Sequence, residues 1–228
     1  MKVSLSYIGT VSIVWFRFTL AALVLLTYFI IKKPKTLLNL LKSFPIALLF
    51  AALFLGYNYL GYISGLHYTT PSTAQVVIQI GPILLTIAGI LIFKEKVNRF
   101  QILGLLIAAI GLTLFYYNQL ASFADTSTYN IGFLWILTAA VSWVCYAILQ
   151  KRLVRKHAPQ VLNLFIYGIP ALAFLPSTNF QEFQGLEIWQ WLLLIFLGLN
   201  TLIAYGFLAL AFKYTQAYKV SIIITLNP

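Results

Sequence analysis

Residues 67–82 read HYTTPSTAQVVIQIGP, and residues 213–228 read KYTQAYKVSIIITLNP. Each stretch holds a Tyr-Thr pair, a short polar patch, a β-branched run and a closing Gly-Pro or Asn-Pro. Set side by side without gaps at an offset of 146, residues 65–82 and 211–228 share four identical pairs: Tyr68/Tyr214, Thr69/Thr215, Ile78/Ile224 and Pro82/Pro228. Five more pairs match apolar with apolar. Apolar helices resemble one another by composition, so the phrase needs support from the rest of the chain.

That support starts with composition. Of 228 residues, 61% are hydrophobic and 8% are charged, whereas a soluble globular domain carries about 25% charged residues. The apolar residues come in runs without the polar face of a soluble amphipathic helix, and a membrane span needs about 20 of them. The chain therefore reads as an all-α, multi-pass membrane protein with the lipid bilayer as its solvent. The net charge of +11 does not imply nucleic acid, because its Lys and Arg sit in short clusters between apolar runs and no soluble basic domain carries them. A single cysteine, Cys145, allows no intrachain disulfide and reads as a small packing residue. The first apolar run ends in lysines, which suits a retained helix better than a cleaved leader.

The predicted spans are 13–31, 44–65, 73–93, 100–117, 131–150, 161–176 and 189–211, with an unfinished eighth from 217. Thirteen of the fifteen basic residues fall on alternate connectors: Lys32, Lys33, Lys35 and Lys42; Lys94, Lys96 and Arg99; Lys151, Arg152, Arg155 and Lys156; Lys213 and Lys219. The intervening connectors hold no Lys or Arg, but they hold Asp125, Glu182 and Glu187. The positive-inside bias makes the basic connectors cytoplasmic. One missed or invented helix would scramble this alternation.

The same offset of 146 carries span 13–31 onto 159–177 and span 44–65 onto 190–211, both predicted helices. The first phrase then begins on the outer face and the second on the inner face. Copies that point opposite ways form an inverted-topology repeat, a common architecture of secondary transporters. The offset places the counterpart of helix 131–150 before residue 1 and that of helix 100–117 after residue 228. Five helices per copy, with the chain cut at both ends, is the resulting expectation.

FRFTLAALVL at 16–25, GLHYTTPSTAQVVIQIGPILLTIAGILIFKEKVNRFQILGLLIAAIGLTL at 65–114 and ALAFKYTQAYKVSIIITLNP at 209–228 together resemble the EamA-type branch of the drug/metabolite transporter superfamily. The order and spacing of an early helix Arg, a small-residue turn, a proline-bearing helix, a closing Glu and a glycine-spaced helix carry the likeness. The resemblance implies ten helices in two inverted five-helix repeats. Residues 1–120 would be a first repeat lacking its first helix. Residues 121–228 would be a second repeat lacking the end of its fourth helix and its fifth. It further implies a bacterial inner-membrane location, a small-molecule substrate, and a homodimer as an admissible assembly.

Polar residues within the apolar runs are the substrate-lining candidates: Asn58, Tyr62, Gln75, Gln79, Asn200, Tyr205, Ser221 and Thr225. Helix–helix hydrogen bonding is the bland alternative for each. Gln75 and Gln79, four apart, share a helix face, and Ser221 and Thr225 hold the equivalent places in the second copy. Trp143 and Tyr146 could add aromatic walls; Tyr28, Trp189 and Trp191 fit an interface belt. Gly81-Pro82 and Asn227-Pro228 mark matching kinks, either static or lining a cavity near the bilayer centre. Arg17 lies about a turn into its helix, near enough to an interface for its side chain to reach headgroups; the family likeness gives it a structural role at the pore mouth. Glu95 stands at a cytoplasmic helix end, where a carboxylate is unfavourable, so a basic partner is expected. The isolated His67 and His157 make no metal site, and no cofactor is expected.

The sequence thus favours a carrier of a small organic metabolite, such as an amino acid or a related compound, working by alternating access, with export as the direction the resemblance implies. A seven-helix receptor is less consistent with an inverted repeat. An intramembrane enzyme would need a nucleophile–base pair, metal ligands or acids within the helices, and no such cluster is present in the sequence.

Overall fold

The computed structural model describes residues 3–36, 38, 44–122 and 126–225. Among them there is no strand, and seven helical segments are long and apolar enough to cross a membrane. The chain is an all-α, multi-pass membrane protein. Its helices are α1 (Thr10–Lys32), α2 (Ile46–Tyr68), α3 (Pro71–Ile78), α4 (Ile80–Phe93), α5 (Arg99–Ser122), α6 (Thr126–Leu153), α7 (Pro159–Phe174), α8 (Ile188–Tyr214) and α9 (Ala217–Thr225).

Helices α3 and α4 form one span, Pro71–Phe93, interrupted at Gln79. Pro82 explains the break: it has no N–H to return to the carbonyl four residues back, and its ring crowds that carbonyl. The start of α3 is locally specified. Thr70 accepts a hydrogen bond from the backbone N–H of Thr73, and Pro71 occupies the first turn, where a missing N–H costs nothing.

The most extensive packing joins α2 to α6. Gly61 and Gly65, four apart on α2, permit it. A Cβ on Gly65 would stand 2.5 Å from Ile136 Cγ1 and 3.0 Å from the carbonyl oxygen of Gly132, and one on Gly61 would stand 3.1 Å from Ala139 Cβ. Within lipid there is no hydrophobic force between helices, so such close approach is what gains packing contacts. Around this pair, α1 packs on α7 and α8, α2 packs on α7, and α4 packs on α9. Helix α5 lies at the margin, with Leu103, Leu106, Ile107 and Ile110 exposed.

Candidate functional site

A cavity of about 410 Å³ lies inside the bundle, in the size range of small-molecule sites. Its wall includes Arg17 of α1; Asn58, Tyr59, Tyr62 and Ile63 of α2; and Gln75, Ile78, Gln79 and Pro82 of the broken span. Ala140 and Trp143 of α6, Ala204, Tyr205 and Leu208 of α8, and Ile224 of α9 also line it.

Four pairs separated by 146 residues contribute both members to the wall: Asn58/Ala204, Tyr59/Tyr205, Tyr62/Leu208 and Ile78/Ile224. The rings of Tyr59 and Tyr205 lie 5.7 Å apart. The helix contacts obey the same relation. The offset turns the α1–α8 pair into the α7–α2 pair, and both are packed.

Five of the eight expected polar residues are in this wall: Asn58, Tyr62, Gln75, Gln79 and Tyr205. Asn58 donates from Nδ2 to the carbonyl of Ala139 (2.8 Å), and Tyr62 donates to Gln75 Oε1 (3.4 Å). The other three stand elsewhere. Asn200 is on an exposed face of α8. Thr225 is exposed and donates to the carbonyl of Ile222 (2.6 Å) within its own helix. Ser221 is buried between helices: Thr86 donates to Ser221 Oγ (2.9 Å), which donates in turn to the carbonyl of Pro82. Pro82 is therefore both cavity wall and an anchor for α9. Gly81 lets Trp143 lie against the break, since a Cβ there would meet Trp143 Cε3 at 3.2 Å. Asn227 and Pro228 lie outside the described residues.

Arg17 does not reach outward to headgroups. Its side chain is only 5% exposed and turns into the bundle. Nε donates to Thr201 Oγ1 (3.0 Å), and the guanidinium carbon sits 4.7 Å from the centre of the Tyr59 ring. Thr201 donates its own proton to the carbonyl of Leu197 (2.9 Å) and also accepts from Tyr59 (3.5 Å). These contacts, with the cation–π attraction of Tyr59, offset part of the cost of holding a charge away from water. Thr201 and Tyr59 escaped the sequence reading. The spacing Thr201-x-x-x-Tyr205 on one helix face was the available signal.

Glu95 has the basic partner its position called for, though not a neighbour in sequence. Its Oε1 lies 3.4 Å from Lys151 Nζ. Its two carboxylate oxygens accept from the backbone N–H groups of Ala217 (2.8 Å) and Tyr218 (3.0 Å). A carboxylate misplaced at the end of its own helix thus caps the positive start of another. Lys94, in the left-handed conformation (φ 54°), turns the chain back, and Lys151 also donates to the carbonyl of Thr215 (2.7 Å). Toward the same end of the bundle, Gln150 donates to Asn163 (2.9 Å), which donates to the carbonyl of Tyr205 (3.1 Å). Trp143 stands in the cavity wall, and Tyr146 is buried beside Tyr205, their rings 5.7 Å apart.

Seven segments able to cross a membrane, five of them contributing to the wall of a solute-sized cavity, define a multi-pass membrane protein with room for a small molecule. Comparison with known proteins makes this specific: the chain belongs to the EamA-like transporter family, whose model matches residues 1–117 and 130–228. Among its relatives are an uncharacterized transporter of Haemophilus influenzae, 36% identical over all of this chain and 74% of that protein. The uncharacterized inner membrane transporter YhbE of Escherichia coli K12 is 35% identical, over all of this chain and 72% of that protein. A probable amino-acid metabolite efflux pump of Salmonella typhimurium is 29% identical over 80% of this chain and 58% of that protein. A crystal structure of a protein 18% identical to this chain, covering 99% of it and 78% of that protein, superposes with a TM-score of 0.73 and shares the fold.

Proposed function

We propose that this transporter carries a small organic metabolite, an amino acid or a related compound, outward across the membrane by alternating access to the cavity. The observation that carries the reading is the cavity's position between residues related by the 146-residue offset. A site on the axis of an inverted repeat meets equivalent surroundings whichever half rocks, so it can open to either side. The basic connectors face the cytoplasm in this reading, and Glu95, Lys151 and the start of α9 sit at that face. Their contacts, with the Thr86–Ser221–Pro82 chain, join α4 to α9 between the cavity and the inner face. They are the contacts that must part when the cavity opens inward. The Salmonella relative named as a probable amino-acid metabolite efflux pump supports the cargo class and the direction.

The test is uptake and efflux by the full-length protein in proteoliposomes, screened over amino acids and related metabolites with and without a pH gradient. Saturable movement of at least one solute, accelerated by unlabelled solute on the far side, is expected. Absence of movement for every solute by folded protein would overturn the reading.

A further inference from the structure

A second pocket, of about 460 Å³, shares no residue with the cavity and lies at the end of the bundle where three spans stop. Lys94 and Lys96 line it just beyond α4, Lys151 and Arg155 at the end of α6, and Lys213 at the end of α8. Glu95 is the one acid in its wall. That carboxylate is already engaged by Lys151 and by the N–H groups of Ala217 and Tyr218. Among the described residues, Lys94, Lys96, Arg155 and Lys213 have no carboxylate partner. The other described acids, Glu182 and Glu187, stand in the connector at the opposite end of α8, where they accept from Gly9 and Trp189.

Cations gathered in one pocket repel one another, and an anion placed among them removes that cost. They are not all on open loops. Lys151 is buried, and its Nζ lies 5.5 Å from the centre of the Phe93 ring, while the Arg155 guanidinium carbon lies 5.7 Å from the same ring. Phosphate oxygens take charge-assisted hydrogen bonds from ammonium and guanidinium groups alike. The span ends set the depth of the pocket. Phe93, Leu153 and Tyr214 close the three apolar segments, which puts the basic wall at the level of the lipid headgroups. A soluble phosphate must reach that depth from water, whereas a phospholipid already holds its phosphate there.

We propose that this pocket binds the headgroup of an anionic phospholipid, its phosphate held by the basic side chains of the wall and its acyl chains in the adjoining bilayer. Basic pockets between membrane helices recognise such headgroups by this chemistry. A zwitterionic lipid brings its own ammonium group into a wall of five cations and one acid, so it ranks below the anionic one. The site goes beyond the carrier reading above and does not depend on it: it is separate from the cavity and stands whichever solute is moved.

The probes are phosphatidylglycerol and phosphatidylcholine with the same acyl chains, competed for the full-length protein in detergent and read by native mass spectrometry. Phosphatidylglycerol is expected to be retained at least ~10-fold more tightly, a preference of about 1.4 kcal/mol. Lys96→Gln combined with Lys213→Gln should remove most of that preference. Lys32→Gln combined with Lys33→Gln takes the same charge from another basic connector, outside the pocket wall, and should leave the preference intact. Inorganic phosphate, the third probe, should not displace phosphatidylglycerol at comparable concentration. Equal retention of the two lipids would overturn the proposal. An equal loss in both double variants would also overturn it, by showing a general attraction to basic connectors. Displacement by inorganic phosphate would do so too, by making a soluble phosphate the ligand. All four lysines are exposed, and the wild-type comparison decides the matter even if a double variant does not fold.

Discussion

Gly65 and Gly132 decide how closely α2 and α6 approach, and their effect is open to direct measurement. A Cβ at Gly132 would lie 2.5 Å from Thr69 Cγ2, as tight as the contact that Gly65 would make with Ile136. Gly65→Val should push the helices apart and destabilise the protein by about 1–3 kcal/mol, read as a lower unfolding midpoint in detergent. Glu95 gives a second residue-level case. Glu95→Ala strands two backbone donors at the start of α9 and leaves Lys151 without its carboxylate. A loss of about 1–3 kcal/mol is expected by the same assay, and Glu95→Gln, which keeps an acceptor, should lose less. The sequence marked Glu95 as a charge in need of a partner. Its actual partners, Lys151 and the N–H groups of Ala217 and Tyr218, lie 56 residues or more away, and no local pattern points to them. Likewise the Arg17 charge was visible, but its inward direction was not, because Thr201 and Tyr59 meet it only in three dimensions.

At the scale of elements, the spans were legible to within a few residues. Long apolar runs and alternating basic connectors follow directly from the cost of placing backbone and charge in hydrocarbon. What the runs could not disclose is rotation. A helix that is apolar all round carries little record of which face is inside. Asn200 and Tyr205 illustrate this: five residues apart on α8, they point about 140° apart at 100° per residue. One is exposed and the other is cavity wall. The break at Gln79 was legible, because Pro82 cannot continue the hydrogen-bond ladder. Pro82→Ala restores the missing donor and should allow α3 and α4 to merge. If the break is the hinge of the cycle, transport should slow roughly tenfold, about 1.4 kcal/mol of barrier, while cargo binding in nanodiscs changes little. An unchanged rate would make the break a static feature.

At the scale of the whole molecule, the 146-residue relation links the repeated phrase to the cavity. The pairs Asn58/Ala204, Tyr59/Tyr205, Tyr62/Leu208 and Ile78/Ile224 all converge on one space. The charge asymmetry of the connectors adds direction. A periplasmic-type reporter fused after residue 184 should be active, and one fused after residue 97 inactive, if the basic connectors are cytoplasmic. The central claim is that a single cavity is exposed to each side in turn. It is tested most directly by placing a cysteine at Tyr62 in a Cys145→Ser background and probing oriented proteoliposomes with a membrane-impermeant maleimide from either face. Labelling from both faces is the result expected of an alternating-access carrier; labelling from one face only, under every cargo and gradient condition, would contradict it.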